Sequence, residues 1–274
     1  MTPATEWEQL PDGTRDLIER QIGPVVKAEP VTAGHNHQLA AILHTNAGVV
    51  FIKGVQTSDR RSRRQTLEAA VAATVAATSP RLLWHLPDTG RWNMLAFEAV
   101  VGARHADLTP GAKDLDLVAE ALHALGETVS PPSLVTDRIE QRWAEHADPD
   151  EAQLLRGEHL LHTDLRPDNI LVGSGRAWIV DWSWPTRGAA WIDPACLTLW
   201  LIAQGHGPAD AQAWMRTVPT ARSVPAIALD AFTTINAGLW SSIAKDDPQP
   251  WKTRLADASA EWVTHRKAGA RSTP

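Results

Sequence analysis

Asp164 and Asn169, set five positions apart in HTDLRPDNILV, and Asp181, at the end of the run IVD, are the residues whose types and spacing could do chemistry. Two carboxylates and a carboxamide make a hard, all-oxygen donor set. Such a set suits a partly hydrated Mg²⁺ whose remaining positions go to phosphate oxygens. Asp164, Asp168 or Asn169 alone would more simply cap or turn a loop. Their density directly ahead of an apolar strand-like run, with Asp181 in reach, points instead to a site that handles charge. Pro167 stiffens the loop between them. In phosphoryl transfer an Asp-x-x-x-x-Asn pair has defined work: the Asp orients an acceptor hydroxyl and takes its proton, and the Asn holds metal.

Phosphoryl transfer also demands a cation on the nucleotide phosphates. Lys53 stands in the apolar run VVFIKGV, where an ammonium is costly unless it meets an anion. Glu68, flanked by apolar residues in TLEAAVAA, is its expected partner. Either residue alone would read as a snorkelling lysine or an ordinary helix glutamate. The loop VTAGHNHQLA would cover the phosphates with a single glycine, Gly34, and is equally readable as a plain hairpin turn. In FEAVVG, Glu98 to Val100 offer backbone groups to a nucleotide base.

These residues need elements to position them. Residues 5–22 have the spacing of an amphipathic helix, interrupted at Pro11-Asp12-Gly13 and stopped by Gly23-Pro24. VVKAEPV, HQLAAILHT and VVFIKGV then alternate with period two and predict three antiparallel strands. Residues 59–78 switch to helical spacing with Asp59 as N-cap, and RLLWHL and WNMLAFEAVV resume strand character around PDTG. The chain thus opens with a small α+β unit ending near Phe97. Beyond Gly102 it is mainly helical, with helices expected in LTPGAKDLDLVAEALHALGE and LVTDRIEQRWAEHA. One interruption is expected: ILV and RAWIV flank Gly173-Ser174-Gly175 as a β-hairpin. That hairpin would return Asp181 to the loop carrying Asp164 and Asn169. Further helices, separated by PADAQ, VPTARSVP and DDPQP, run to a frayed tail, RKAGARSTP.

Composition bounds the rest. The 274 residues suffice for one large domain or two lobes. With 26 basic against 32 acidic side chains the net charge is −6, which argues against a nucleic-acid partner and leaves cationic ligands open. Cys196 is the single cysteine, so neither an internal disulfide nor a cysteine-based metal cluster can form. The absence of a signal-like start and of a long uncharged run predicts a soluble cytoplasmic protein without a membrane partner. Thirteen tryptophans accompany no tyrosine. Their spread over the last helices reads mainly as packing, with some free to wall a pocket.

HTDLRPDNILV and IVDW, with Lys53 and Glu68 in the order strand, lysine, helix, glutamate, resemble the aminoglycoside phosphotransferase and choline-kinase-like family, relatives of protein kinases. The resemblance spans nearly the whole chain. It implies an α+β, bilobal protein-kinase-like fold, with a small antiparallel-sheet lobe over residues 1–97 and a larger, mainly helical lobe over 98–274. It implies ATP (or GTP) and Mg²⁺, and a small hydroxylated acceptor, with aminoglycosides, other antibiotics and metabolites all open and a cationic one among them. Asp164 would be the catalytic base, Asn169 and Asp181 the magnesium ligands, and Lys53 the phosphate cation with Glu68 beside it. Gly34, Glu98 and Val100 would complete the nucleotide site. Arg166 would neutralise charge near the transferred phosphate. His162 would support the loop, and Asp193, in WIDPACL, would brace it. Thr163 stands where the family more often has glycine. Two alternatives remain: a peptide or protein kinase, opposed by Trp182-Ser183 after Asp181 and by the short stretch to Asp193, and a catalytically silent binding module of the same fold.

Overall fold

The structure, a computed structural model, describes residues 5–31 and 37–271. Pro11 opens α1 (Asp12–Ile22), so the Pro-Asp-Gly sequence begins this helix where an interruption was expected. Gly23, at φ 84°, ends it. Then follow β1 (Val25–Pro30), β2 (Leu39–Thr45), β3 (Gly48–Gln56), α2 (Arg61–Val71), β4 (Leu82–Leu86) and β5 (Trp92–Glu98). The five strands form one antiparallel sheet in the order β1-β2-β3-β5-β4. Side chains alternate across it. Leu39, Ala41, Leu43, Val50, Ile52, Met94 and Ala96 pack with Ile18 and Ile22 of α1 into one core. Phe51 and Lys53, one residue out of phase, line the opposite face of β3 beside Glu68 of α2.

The helix expected over 59–78 stops at Val71 and continues as turns. Alanine-rich propensity yields here to docking: Val71 and Val75 join a second core, and the Thr78 carbonyl accepts the Ile179 amide at 2.7 Å. Arg60 occupies the N-cap, while Asp59 caps from one residue earlier by accepting the Arg61 amide at 2.8 Å.

The second half runs β6 (Arg104–His105), α3 (Asp114–Gly126), α4 (Ile139–Arg142), α5 (Pro149–Gln153), β7 (His159–Leu161), β8 (Ile170–Gly173), β9 (Arg176–Ile179), β10 (Thr186–Gly188), α6 (Ile192–Ala203), α7 (Pro208–Met215), α8 (Ala226–Asp246) and α9 (Pro250–Arg271). The helix expected in LVTDRIEQRWAEHA shrinks to α4 and a single 3₁₀ turn, Ala144–His146. Its leading residues are drawn to β10, where Arg187 donates its amide to Asp137 at 2.8 Å. β6 adds to β8 and β9, and β7 pairs with β10, so the helical half holds more strand than the expected hairpin. Pro208 begins α7, placing PADAQ inside a helix where a separator was expected. The expected tail stays helical to Arg271, anchored where Arg266 donates to Asp230 of α8 at 2.7 Å. Among the described residues no helix is long and apolar enough to cross a membrane.

Candidate active site

The β8-β9 hairpin sets the geometry. Its register pairs Ile170 with Ile179 and Gly173 with Arg176. Ser174 and Gly175, at φ 52° and 75°, supply the two left-handed positions of a tight turn whose twist matches the strands. One step past the ladder the Val180 amide donates to the Asn169 carbonyl at 2.9 Å, which sets Asp181 beside the loop. In that loop Pro167–Asn169 form a 3₁₀ turn, and Asn169 folds back so that Nδ2 donates to the Asp164 carbonyl at 2.8 Å and faces its carboxylate at 3.4 Å.

The loop is held from beneath. Asp193, at the start of α6, accepts the His162 amide at 2.7 Å and the Thr163 amide at 2.9 Å. Burial raises its carboxyl to about 6, against the pull of those amides. The His162 ring lies 3.0 Å from the Val180 carbonyl through Nε2 and accepts the Asp164 amide through Nδ1 at 3.3 Å. This arrangement requires a neutral imidazole with its proton on Nε2. Burial depresses the ring to about 4. Thr163 adopts φ 63°, a conformation costly for a β-branched residue and free of that cost for glycine. Its hydroxyl donates to the Trp184 carbonyl at 3.1 Å and accepts from Arg142 Nη1 at 2.6 Å.

Across from the loop, Lys53 Nζ lies 2.6 Å from Glu68 Oε2 and 2.9 Å from Asp181 Oδ1, with both lysine and glutamate buried. Burial alone would lower the Lys53 pKa, but Asp181 and then Glu68 outweigh it and raise it. Burial raises that of Glu68. Asp164 rises to about 7, chiefly through burial and next through the charge of Asp181, with Arg166 and Arg142 opposing. Arg166 binds Asp168 at 3.0 Å and stacks over Trp251, its guanidinium carbon 4.7 Å from the ring centroid.

Two cavities meet here. The smaller, about 270 Å³, holds Phe51, Lys53, Glu98, Val100, Asn169 and Asp181 on its walls. The larger, about 910 Å³, is walled by Asp164, Arg166, Trp184, Trp200, Trp240 and Trp251. Val31 and His37 border both. The structure therefore brings Lys53, Glu68, Asp164, Arg166, Asn169 and Asp181 together. Glu98 and Val100 lie along the small cavity with part of their backbone already engaged. The Glu98 amide donates to Arg81 at 2.9 Å, and the Val100 carbonyl accepts from Ala103 at 3.2 Å. Gly34 lies outside the described residues.

Asn169 and Asp181 fit a magnesium ion by donor chemistry. Lys53 faces two carboxylates, the buried Glu68 and the partly buried Asp181, so these two acids outnumber the ammonium they bind. Sequence reasoning missed Arg142 and Arg64, which flank the Trp184 ring with guanidinium carbons 4.9 and 3.3 Å from its centroid. No local motif marks either arginine. The tryptophan count hinted at a pocket wall without saying which indoles form it.

Around this site the chain has the protein-kinase-like fold of small-molecule kinases. The choline kinase LicA of Streptococcus pneumoniae superposes with a TM-score of 0.65 at 12% identity, over 91% of this chain and 98% of that one. A putative aminoglycoside phosphotransferase of Ralstonia eutropha gives 0.61 at 14%, over 95% and 98%. A thermostable mutant of aminoglycoside phosphotransferase APH(4)-Ia, in ternary complex with AMP-PNP and hygromycin B, gives 0.57 at 16%, over 93% and 98%. No family model and no curated protein matches the sequence.

Proposed function

We propose that the chain transfers the γ-phosphate of ATP (or GTP) to a hydroxyl of a small molecule, residues 1–97 forming the nucleotide lobe and 98–274 the catalytic and acceptor lobe. The observation that carries this reading is the placement of the Lys53, Glu68 and Asp181 cluster in one cavity and Asp164 in the adjoining one. The fold shared with solved small-molecule kinases supports it. So does the LicA complex with AMP.

The nucleotide would occupy the smaller cavity, its base against the Glu98–Val100 backbone and its phosphates at Lys53. Asn169 and Asp181 would hold Mg²⁺, which supplies neutralising charge to the phosphate oxygens. The acceptor hydroxyl stands at Asp164. Its oxygen forms the new bond to the γ-phosphorus as the bond to the β,γ-bridging oxygen breaks, and its proton passes to Asp164. Asn169 orients that carboxylate, while Asp193 and His162 fix the backbone beneath it. Arg166 adds positive charge on the acceptor side. Only ten residues, among them the three of β10, separate Asp181 from the start of α6, which leaves no long segment to dock a peptide.

The test is a thermal-shift series with ATP and GTP, with and without Mg²⁺, alongside mass spectrometry of hydroxylated acceptors. A magnesium-dependent shift and an acceptor heavier by one phosphate are expected. Absence of any nucleotide shift would leave the fold without this activity.

A further inference from the structure

Resting on the phosphotransferase reading above, the chemistry of the larger cavity narrows the acceptor. Its volume, about 910 Å³, lies near the top of the roughly 300–1,000 Å³ range of pockets for drug-sized ligands. Its apolar wall is indole: Trp200 and Trp251 stack with centroids 6.1 Å apart, and Trp240 meets Trp251 edge-on at 6.0 Å. A wall of this kind could in principle cage an organic cation. Here two of the lining indoles, Trp184 and Trp251, are already attended by the protein's own cations. Arg64 and Arg142 attend Trp184, and Arg166 and Lys252 attend Trp251, the latter with its ammonium 5.4 Å from the ring centroid.

The acidic side chains needed to hold a cation are likewise committed. Asp247, the carboxylate on the α8-α9 side of the cavity, is paired with Lys252 at 2.5 Å. Asp164 already faces Arg166, the larger of its opposing charges. On the basic side Arg142 is left over. Among the described residues its hydrogen bonds go to Thr163, Trp184 and Thr186, all from Nη1, and no carboxylate lies within ion-pair distance. It borders the cavity, so the rest of its guanidinium fork remains for a ligand. Arg60, on the same cavity, likewise has no carboxylate at that distance among the described residues.

We infer that the acceptor is a hydroxylated molecule with a flat aromatic or apolar face and an anionic group, the face lying on the Trp200, Trp240 and Trp251 wall and the anion bound by Arg142 close to Asp164. A polycationic acceptor meets repulsion here. The inferred acceptor differs in charge from the cationic ligands that the composition left open.

Calorimetric titration with four probes tests this: 4-nitrophenyl glucuronide, the uncharged 4-nitrophenyl glucoside, kanamycin and choline, each with and without Mg²⁺ and a non-hydrolysable ATP analogue. The glucuronide should bind about tenfold more tightly than the glucoside, and both more tightly than kanamycin or choline. Arg142→Gln should erase the glucuronide advantage, while Arg142→Lys, which keeps the charge, should retain most of it. Equal or tighter binding of either cation, equal binding of the two aromatic probes, or binding of neither overturns the inference. Probe binding without nucleotide is read separately from the magnesium-dependent nucleotide shift. Loss of that shift alone counts against phosphoryl transfer and leaves the charge preference standing.

Discussion

The two cavities flanking Asp164, proposed above for nucleotide and for acceptor, are built on different principles. On the nucleotide side one ammonium, Lys53 on a strand, is shared by two carboxylates, Glu68 on a helix and Asp181 at a hairpin end, both within 3 Å of it. On the acceptor side the wall is aromatic surface drawn from helices far apart in sequence, Trp200 on α6, Trp240 on α8 and Trp251 on α9. A dense charge cluster tolerates little displacement, because Coulomb energy in a poorly solvated setting changes steeply with distance. An indole wall can keep its function while its members are exchanged for other flat residues. The nucleotide side should therefore answer substitution with large losses, and the acceptor side with changes in selectivity.

The sharpest break would come where the cavities meet. Asp164→Asn keeps the shape and removes the proton acceptor, so turnover should fall about 10³-fold, roughly 4 kcal/mol, while the Mg-ATP thermal shift survives. Survival of turnover would remove Asp164 from the chemistry. Next in size is Lys53→Met, which leaves Glu68 and Asp181 facing each other. Chemical denaturation at neutral pH should show a loss of roughly 3 kcal/mol along with weakened nucleotide binding.

The loop between the cavities carries a pH signature. The folded-state pKa of His162 lies near 4, below the usual 6.5, so its contribution to stability is present above the unfolded value and is lost as pH falls toward 4. Between pH 7.5 and 4.5 the wild type should lose about 2 kcal/mol more than His162→Gln, compared by parallel denaturation curves. Equal pH dependence would mean that the ring is charged or exposed in the folded protein. On the acceptor side, Trp240→Ala should raise KM for the accepted substrate about tenfold and leave kcat within a factor of two. A kcat loss matching that of Asp164→Asn would erase the contrast between the cavities. The smallest effect is backbone alone. Thr163→Gly should be more stable than Thr163→Ala by about 1 kcal/mol, since both lose the hydroxyl and only glycine relieves the left-handed conformation.

The same contrast explains what was legible beforehand. Asp164, Asn169 and Asp181 could be brought together on paper because hairpin register is a local rule, and the observed pairing of Ile170 with Ile179 follows it, whereas Lys53 entered only because phosphoryl transfer demands a cation. Strands of two or three residues such as β6, β7 and β10 leave no period to detect, and they exist only through partners distant in sequence. α2 ended early for a similar reason: the Thr78 carbonyl was claimed by Ile179, about 100 positions away. Arg142 lay in a segment whose spacing suggested only a longer helix. Its position beside Thr163 and Thr186 depends on β7, β10 and the loop folding around it.

The indole wall has a practical corollary. With thirteen tryptophans and no tyrosine, the near-ultraviolet emission of this chain comes almost wholly from indole, and the emitters are distributed unequally between its two cavities. The acceptor cavity is bordered by Trp143, Trp184, Trp200, Trp240 and Trp251, and the nucleotide cavity by Trp182 alone, which is buried and donates to Ser79 at 2.8 Å. An occupant of the acceptor cavity should quench or shift the intrinsic fluorescence strongly while a nucleotide leaves it nearly unchanged, so the protein can report, without a label, which cavity has been filled.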